Sequence, residues 1–383
     1  MSDHITKREG GFTLLEMTIA LALGTIVLGA AVQIYSQGVT ATWVATQRSE
    51  LQQDFRAASD ILTADLGLAG AGLGNGAEIE LPTSSTIPVY GCDQTGTCYL
   101  NGTSAKYPTQ SGTPYLYGLL PGYDLGPTMN GQATDIVTVA YTDPDFFLDC
   151  YTATIASATT VTFALNSSGP NCTANGDTIQ AINDAAEGLT AGDLVLFNFS
   201  GTQVVAEVYG SAPTSTTVTF ASSDPLSMNQ ASTSTASLAC QFAGNTGCSG
   251  GTTGYGVRLF VITYYIDTTV TPARLMRQVS GHSPMPIAEG AAYMKFTYDL
   301  FNTATNAFAT QCPNPGASGD VCNSGSDSGL LPNQITKINI QNMAMDSTLK
   351  GALYGLSKGD QSIDLETSVC ARNLTYVNNF NNQ

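Results

Sequence analysis

The spacing of apolar positions along this chain changes twice. From Phe12 to Tyr35 the sequence is apolar almost without interruption, and Glu16 is the sole formal charge between Glu9 and Arg48. Further on, Val44, Gln47, Leu51, Phe55, Ala58, Leu62 and Leu66 recur every three or four residues, while Arg48, Glu50, Asp54, Arg56, Asp60 and Asp65 fall largely elsewhere. That period is the mark of an amphipathic helix with one buried stripe. The two stretches read as one continuous helix reaching to about Leu68, stopped by the glycine-rich run GAGLGNG at Gly70 to Gly76. A phosphate-cradling glycine loop would have to follow a strand and open a helix; this run closes a helix, so it reads as a linker.

Beyond Gly76 the period falls to two. Residues 135–141, 159–165, 193–199, 204–210, 216–220, 257–266, 293–300 and 335–345 alternate, or run through β-branched and aromatic side chains, as strands do. Segments 221–255 and 302–333 are rich in Gly, Ser, Thr and Asn and read as long surface loops. The pattern predicts an α+β protein: a long N-terminal helix packed on a large antiparallel β-rich domain. The expected organisation is residues 1–11 as a leader, 12–70 as the helix with a membrane-spanning part at 12–35, and 71–383 as the β-rich globular domain.

Charge and cysteine content change the picture further. Only 11% of the 383 residues are charged, and the net charge is −17 with 13 Lys and Arg in all. Binding to a phosphate backbone needs a basic face, so nucleic acid is excluded as a partner. Nine cysteines accompany only two histidines, without the close Cys/Cys or Cys/His spacings of zinc sites. Instead they fall into neighbours in loop-like sequence: Cys92 and Cys98, Cys150 and Cys172, Cys240 and Cys248, Cys312 and Cys322. Neighbour pairing into disulfides in an oxidising compartment is the leading assignment among many connectivities. Cys370 reads as a small buried residue on a strand.

The route to that compartment is at the N-terminus. As a helix, Phe12 to Tyr35 would extend about 36 Å at about 1.5 Å per residue, enough for a hydrocarbon core of about 30 Å. A cleaved secretory signal would have a much shorter apolar region. Lys7 and Arg8 precede the span, which predicts a cytoplasmic N-terminus with all that follows the span outside. Within the span, Gly24 and Gly29 are either close-packing positions between helices or points where the helix can loosen on assembly. Glu16 is the anomaly, because a carboxylate inside a membrane is costly and is a functional hypothesis by default.

GGFTLLEMTIALALG, from Gly10 to Gly24, resembles the class III signal of type IV prepilins. The resemblance implies cleavage between Gly11 and Phe12 by a prepilin peptidase, and N-methylation of Phe12. It also implies an assembly role for Glu16, whose carboxylate would meet the Phe12 amine of a neighbouring subunit. Such a buried pair sets register more than it adds stability. The later blocks RSELQQDFRAASDILTADLGLAGAG, TDIVTVAYTD, AGDLVLFNFSGTQVVAEVYG, VITYYID, LMRQVS followed by IAEGAAYMKFTYDL, and ETSVCARNL resemble the PilW class of large minor pilins, related to the J-type pseudopilins of type II secretion.

That likeness implies a structural minor pilin of the initiating or tip complex of a type IV pilus. It would reside in the bacterial inner membrane before assembly and on the cell surface afterwards. Its implied partners are other minor and major pilins through the N-terminal helix, the prepilin peptidase, the inner membrane and a tip adhesin. A J-type pseudopilin of a type II secretion system is the alternative.

Enzymatic readings find little support. Of the two histidines, His4 lies in the expected leader, so a catalytic arrangement could use only His282, in the loop sequence SGHSPM. Asp143, Asp145 and Asp149 could offer oxygens to Ca²⁺, but their spacing is not that of an EF-hand, and an acidic turn is the favoured reading. No cofactor is expected.

Overall fold

The computed structural model describes residues 11–74, 77–83, 86–100, 102–166, 172, 179–245, 248, 251–302, 306–315, 330–346, 362–371 and 373–374. Helix α1, Leu14–Leu68, is a single 55-residue element, about 82 Å long at about 1.5 Å per residue. Its two parts differ as the sequence pattern predicts. Residues 12–35 are exposed throughout, whereas Leu51, Phe55, Ala58, Leu62 and Leu66 are buried. Asp65 is buried with them.

Two antiparallel sheets receive that stripe. The larger contains β1 (Leu119–Gly122), β2 (Ile136–Thr142), β3 (Tyr151–Ser157), β4 (Thr160–Leu165), β5 (Leu194–Phe199), β6 (Thr202–Glu207), β7 (Thr217–Thr219), β8 (Thr253–Asp267), β9 (Arg274–Val279) and β10 (Met285–Glu289). Its order is β6-β5-β8-β3-β4-β7, with β2 and β9 also pairing to β8, and β1 and β10 pairing outside them. The fifteen residues of β8 let one strand serve four neighbours: its first half pairs with β3 and β5, its second with β2 and β9. The second sheet contains β11 (Ala291–Asn302), β12 (Ala307–Cys312), β13 (Ile335–Asp346) and β14 (Ser362–Cys370) in the order β12-β11-β13-β14.

Alternation along β11 and β13 sends Met294, Phe296, Tyr298 and Leu300, with Ile338 and Ile340, to one face. These join the helix stripe and Val137, Val139, Ile262 and Tyr264 of the larger sheet in one core. The helix is therefore held by both sheets at once. Each large apolar side chain buried there contributes about 1.5–3 kcal/mol.

The described part of the glycine run after α1, Gly70 to Gly74, is a packed turn rather than the linker read from sequence. Gly70 and Gly72 have φ of +79° and +74°, a region costly for residues with a Cβ. The Gly70 N–H donates to Ala140 O at 2.8 Å, and a Cβ on Gly72 would lie 1.8 Å from Thr142 Oγ1. Ala69 and Leu73 are buried beside them. The chain thus turns back directly onto β2.

The eight expected strands are all present in shifted form, and several more were not read from the sequence. Tyr151–Ser157, Arg274–Val279 and Met285–Glu289 are strands; β9 and β10 place Arg274 opposite Glu289, and such a charged pattern masks strand periodicity. The segment 302–333, expected as a loop, begins with β12 paired to β11. The segment 221–255 is not wholly a surface loop either. Leu226, Met228 and Leu238 enter the cores, and Leu238–Ala243 forms the short helix α2, capped by Ser237 and closed by Gly244 in a left-handed conformation.

Three disulfides join neighbours: Cys92–Cys98, Cys150–Cys172 and Cys240–Cys248. Cys312 is also disulfide-bonded, while Cys322 lies outside the described residues. Cys370 corrects the expectation of a buried thiol. It is on a strand, but it is free and exposed, because Ile363, Leu365 and Val369 take the inward phase of β14 and Cys370 falls on the outward one.

Candidate functional site at the N-terminal helix

The segment Gly11 to Glu16 combines two properties. It opens α1, and it is fully exposed. Thr13 is the N-cap, and the helix begins with a reciprocal capping box. The Thr13 N–H and hydroxyl donate to Glu16 Oε2 at 2.9 and 3.0 Å, and the Glu16 N–H donates to Thr13 Oγ1 at 3.3 Å. Otherwise orphaned donors of the first turn are satisfied in this way. Glu16 therefore has a local role that the sequence pattern Thr-Leu-Leu-Glu could have disclosed and that the reading above passed over. Both of its bonds fall on Oε2, so among the described residues Oε1 keeps its capacity for a further partner.

Phe12 projects immediately before this turn at 86% exposure. No atom lies within 4 Å of where a Cβ on Gly11 would be. A peptidase could therefore reach the Gly11–Phe12 bond without moving any part of the globular domain. The helix that follows is apolar enough to cross a membrane and is unburied over its most apolar window. Nothing lies within 4 Å of Gly24, Gly29 or Gly38 where a side chain would begin. The whole surface of residues 12–35 is thus free for lipid or for other helices. Lys7 and Arg8 lie outside the described residues.

Where the stripe meets the sheets, a charged cluster fixes the helix. Asp65 accepts hydrogen bonds from Tyr141 Oη at 2.9 Å, from Tyr264 Oη and from Arg277 Nε at 2.8 Å. Burial first, and then the Asp65 charge, push both phenols far above their ordinary value, so they remain donors. Three strand residues thus hold one helix carboxylate, and the helix can neither slide nor rotate on the sheet without breaking all of them.

Two of the residues considered for catalysis or metal, Asp143 and His282, have side-chain partners of their own. Arg258 Nε donates to Asp143 Oδ2 at 2.7 Å, and the Asp145 N–H donates to Asp143 Oδ1 at 2.9 Å. That carboxylate serves an ion pair and a turn. His282 Nε2 lies 2.8 Å from Asp193 Oδ1, and both belong to the surroundings of Arg258, which is 4.0 Å from Asp193. Among the described residues no cluster of three or more His, Cys, Asp or Glu is placed to hold a metal ion.

The prokaryotic N-terminal methylation motif matches residues 6–32. This is the prepilin-type signal of the type IV pilin and pseudopilin class, and it supports a pilin-like protein processed by prepilin peptidase. The match covers the signal and most of the apolar span. No curated protein and no solved structure matches the chain.

Proposed function

We propose that this chain is a structural minor pilin: inserted in the inner membrane through residues 12–35, cleaved between Gly11 and Phe12, methylated on Phe12, and assembled into the initiating or tip complex of a type IV pilus. On this reading residues 1–11 are the removed leader and residues 71–383 the exported domain. Other pilins are its partners through α1, and a tip adhesin is a further one. The carrying observation is Glu16, a lone carboxylate on a bare apolar helix directly after a prepilin-type signal. Its Oε2 is committed to Thr13 and its Oε1 is open to a neighbour's amine.

The role is structural rather than catalytic. The large exported head and its disulfide-braced loops favour a pilus over the short periplasmic assembly of type II secretion. The test is the abundance of this protein in sheared pili relative to the inner membrane, for wild type and Glu16→Gln. Selective loss from pili supports the proposal. Its presence in a secretion assembly but not in pili moves the assignment to a pseudopilin.

A further inference from the structure

The second sheet has two unlike faces. One is the apolar face against α1; the other looks away from the helix and carries polar side chains from all four strands. Thr297 on β11, Gln311 on β12, Asn339 and Gln341 on β13, and Glu366 on β14 line a cavity of about 370 Å³ there, with Lys337 at one side. The strand registers account for the convergence, since Thr297 lies opposite Asn339 and Asn339 opposite Ser368.

Two observations separate this cavity from an ordinary wet sheet face. Thr297 is 5% exposed, and its Oγ1 is buried with no hydrogen-bond partner among the described residues. An unpartnered buried hydroxyl is costly and calls for an explanation. The lining is also braced from within. Asp299 accepts from the Gln311 N–H at 2.9 Å and from Asn339 Nδ2 at 3.0 Å, and it lies 3.7 Å from Lys337 Nζ. Lining groups held by a common carboxylate are preorganised, which lowers the cost of ordering them on binding.

We infer that this cavity is a binding site for a neutral carbohydrate of about disaccharide size. The lining selects the class. The described side chains on this face are polar, since Ile340 at the cavity's edge turns its side chain to the core, so an apolar ligand would strand the amides. An anion would need an Arg fork or several cations, but among the described residues Lys337 is the sole lining cation, it already neighbours Asp299, Glu366 adds a lining carboxylate, and the chain carries a net charge of −17. Amide and hydroxyl groups that both donate and accept match a ring of sugar hydroxyls. Among the described residues no aromatic side chain lines the cavity, so hydroxyl contacts hold the ligand and affinity falls in the roughly millimolar range. The site lies opposite α1, so it stays open to solvent when helices bundle; only that last point rests on the pilin assignment.

Saturation-transfer NMR on the full chain in lipid nanodiscs, free of glycosidic detergent, tests the site with maltose, lactose, cellobiose, N,N′-diacetylchitobiose and the anionic 3′-sialyllactose. The expected result is transfer to at least one neutral disaccharide. Thr297→Val, which is isosteric, should weaken it by roughly tenfold, the value of one hydrogen bond, without lowering the Tm. Gln341→Ala, on an exposed side chain, should also weaken it and guards against a folding artefact. The inference is overturned by any of four results: no transfer to any neutral sugar, preference for 3′-sialyllactose, wild-type binding by both variants, or a lower Tm for Thr297→Val, which would mean that its hydroxyl is already used within the protein.

Discussion

Arg277 donates from Nε to Asp65 Oδ2 at 2.8 Å, joining β9 to a helix residue 212 positions earlier in the chain. With Tyr141 and Tyr264 on the same carboxylate, this contact decides where along α1 the globular domain sits. The apolar stripe alone would allow a slip of one helical turn with modest loss, because Leu, Phe and Ala tolerate one another's places better than Asp65 tolerates a site without donors.

Asp65→Ala should therefore destabilise the globular domain by about 3 kcal/mol, as removal of one partner from a buried pair does. Arg277 keeps some contact with water, at 22% side-chain exposure, which places the value at the lower end of the usual range. Chemical denaturation followed by tyrosine fluorescence measures it. A loss below about 1 kcal/mol, the level of an exposed pair, would show that the cluster does not anchor the helix.

A second buried acid predicts a pH dependence. Glu207 is fully buried, and its carboxyl is pushed well up by burial first and by neighbouring Asp224 next. Its Oε2 accepts the Leu226 N–H at 3.0 Å, while Asp224 accepts from Met228 and Asn229. The folded state therefore holds a proton that the unfolded chain loses near pH 4.5. Stability from this group is complete below that pH and declines as pH rises towards the elevated folded value. Glu207→Gln, which mimics the protonated form, should flatten the fall in Tm between about pH 5 and 9. An equal slope in both proteins contradicts a Glu207 carboxyl that stays protonated in the fold.

Cysteine mapping under non-reducing conditions should recover Cys92–Cys98, Cys150–Cys172 and Cys240–Cys248 as linked peptides, and Cys370 as a thiol that alkylates without denaturant. Each bridge adds up to about 2–4 kcal/mol, less for the short loops. Protection of Cys370 in the native protein would contradict the outward phase of β14.

Thr13→Val separates the two roles of Glu16. It removes the hydroxyl half of the capping box but leaves the carboxylate. N-terminal processing and membrane levels should hold, while entry into pili falls less than with Glu16→Gln, because the carboxylate is freer but still present. Quantitative immunoblots of sheared pili and membranes decide it. Equal loss in the two variants would mean that Glu16 acts through the cap rather than through an intersubunit pair.

Much of this architecture is legible in local sequence. The change from a continuous apolar run to a three-or-four period, ended by Gly70, carries enough information to place the end of α1 at Leu68, where the structure has it. Neighbouring cysteines in loop sequence carry the disulfide pattern for the same reason: short loops close readily. What escapes local reading is set by long-range pairing. Nothing near Asp65 announces Arg277, and the orphaned hydroxyl of Thr297 depends on which strands flank β11. Cys370 was misread through a parity error of a single position, which on a strand exchanges the core face for solvent.

The largely exposed stretch between the apolar span and the first buried helix residue also fixes a distance. From Tyr35 to Leu51 the axis advances about 24 Å at about 1.5 Å per residue, and along it Thr40, Val44 and Gln47 are half-buried while the other residues between are exposed. A subunit held by its span would carry the buried part of its helix about two screening lengths of about 8–10 Å beyond the end of the span at ordinary ionic strength. The net charge of −17 then exerts almost no force on the membrane surface.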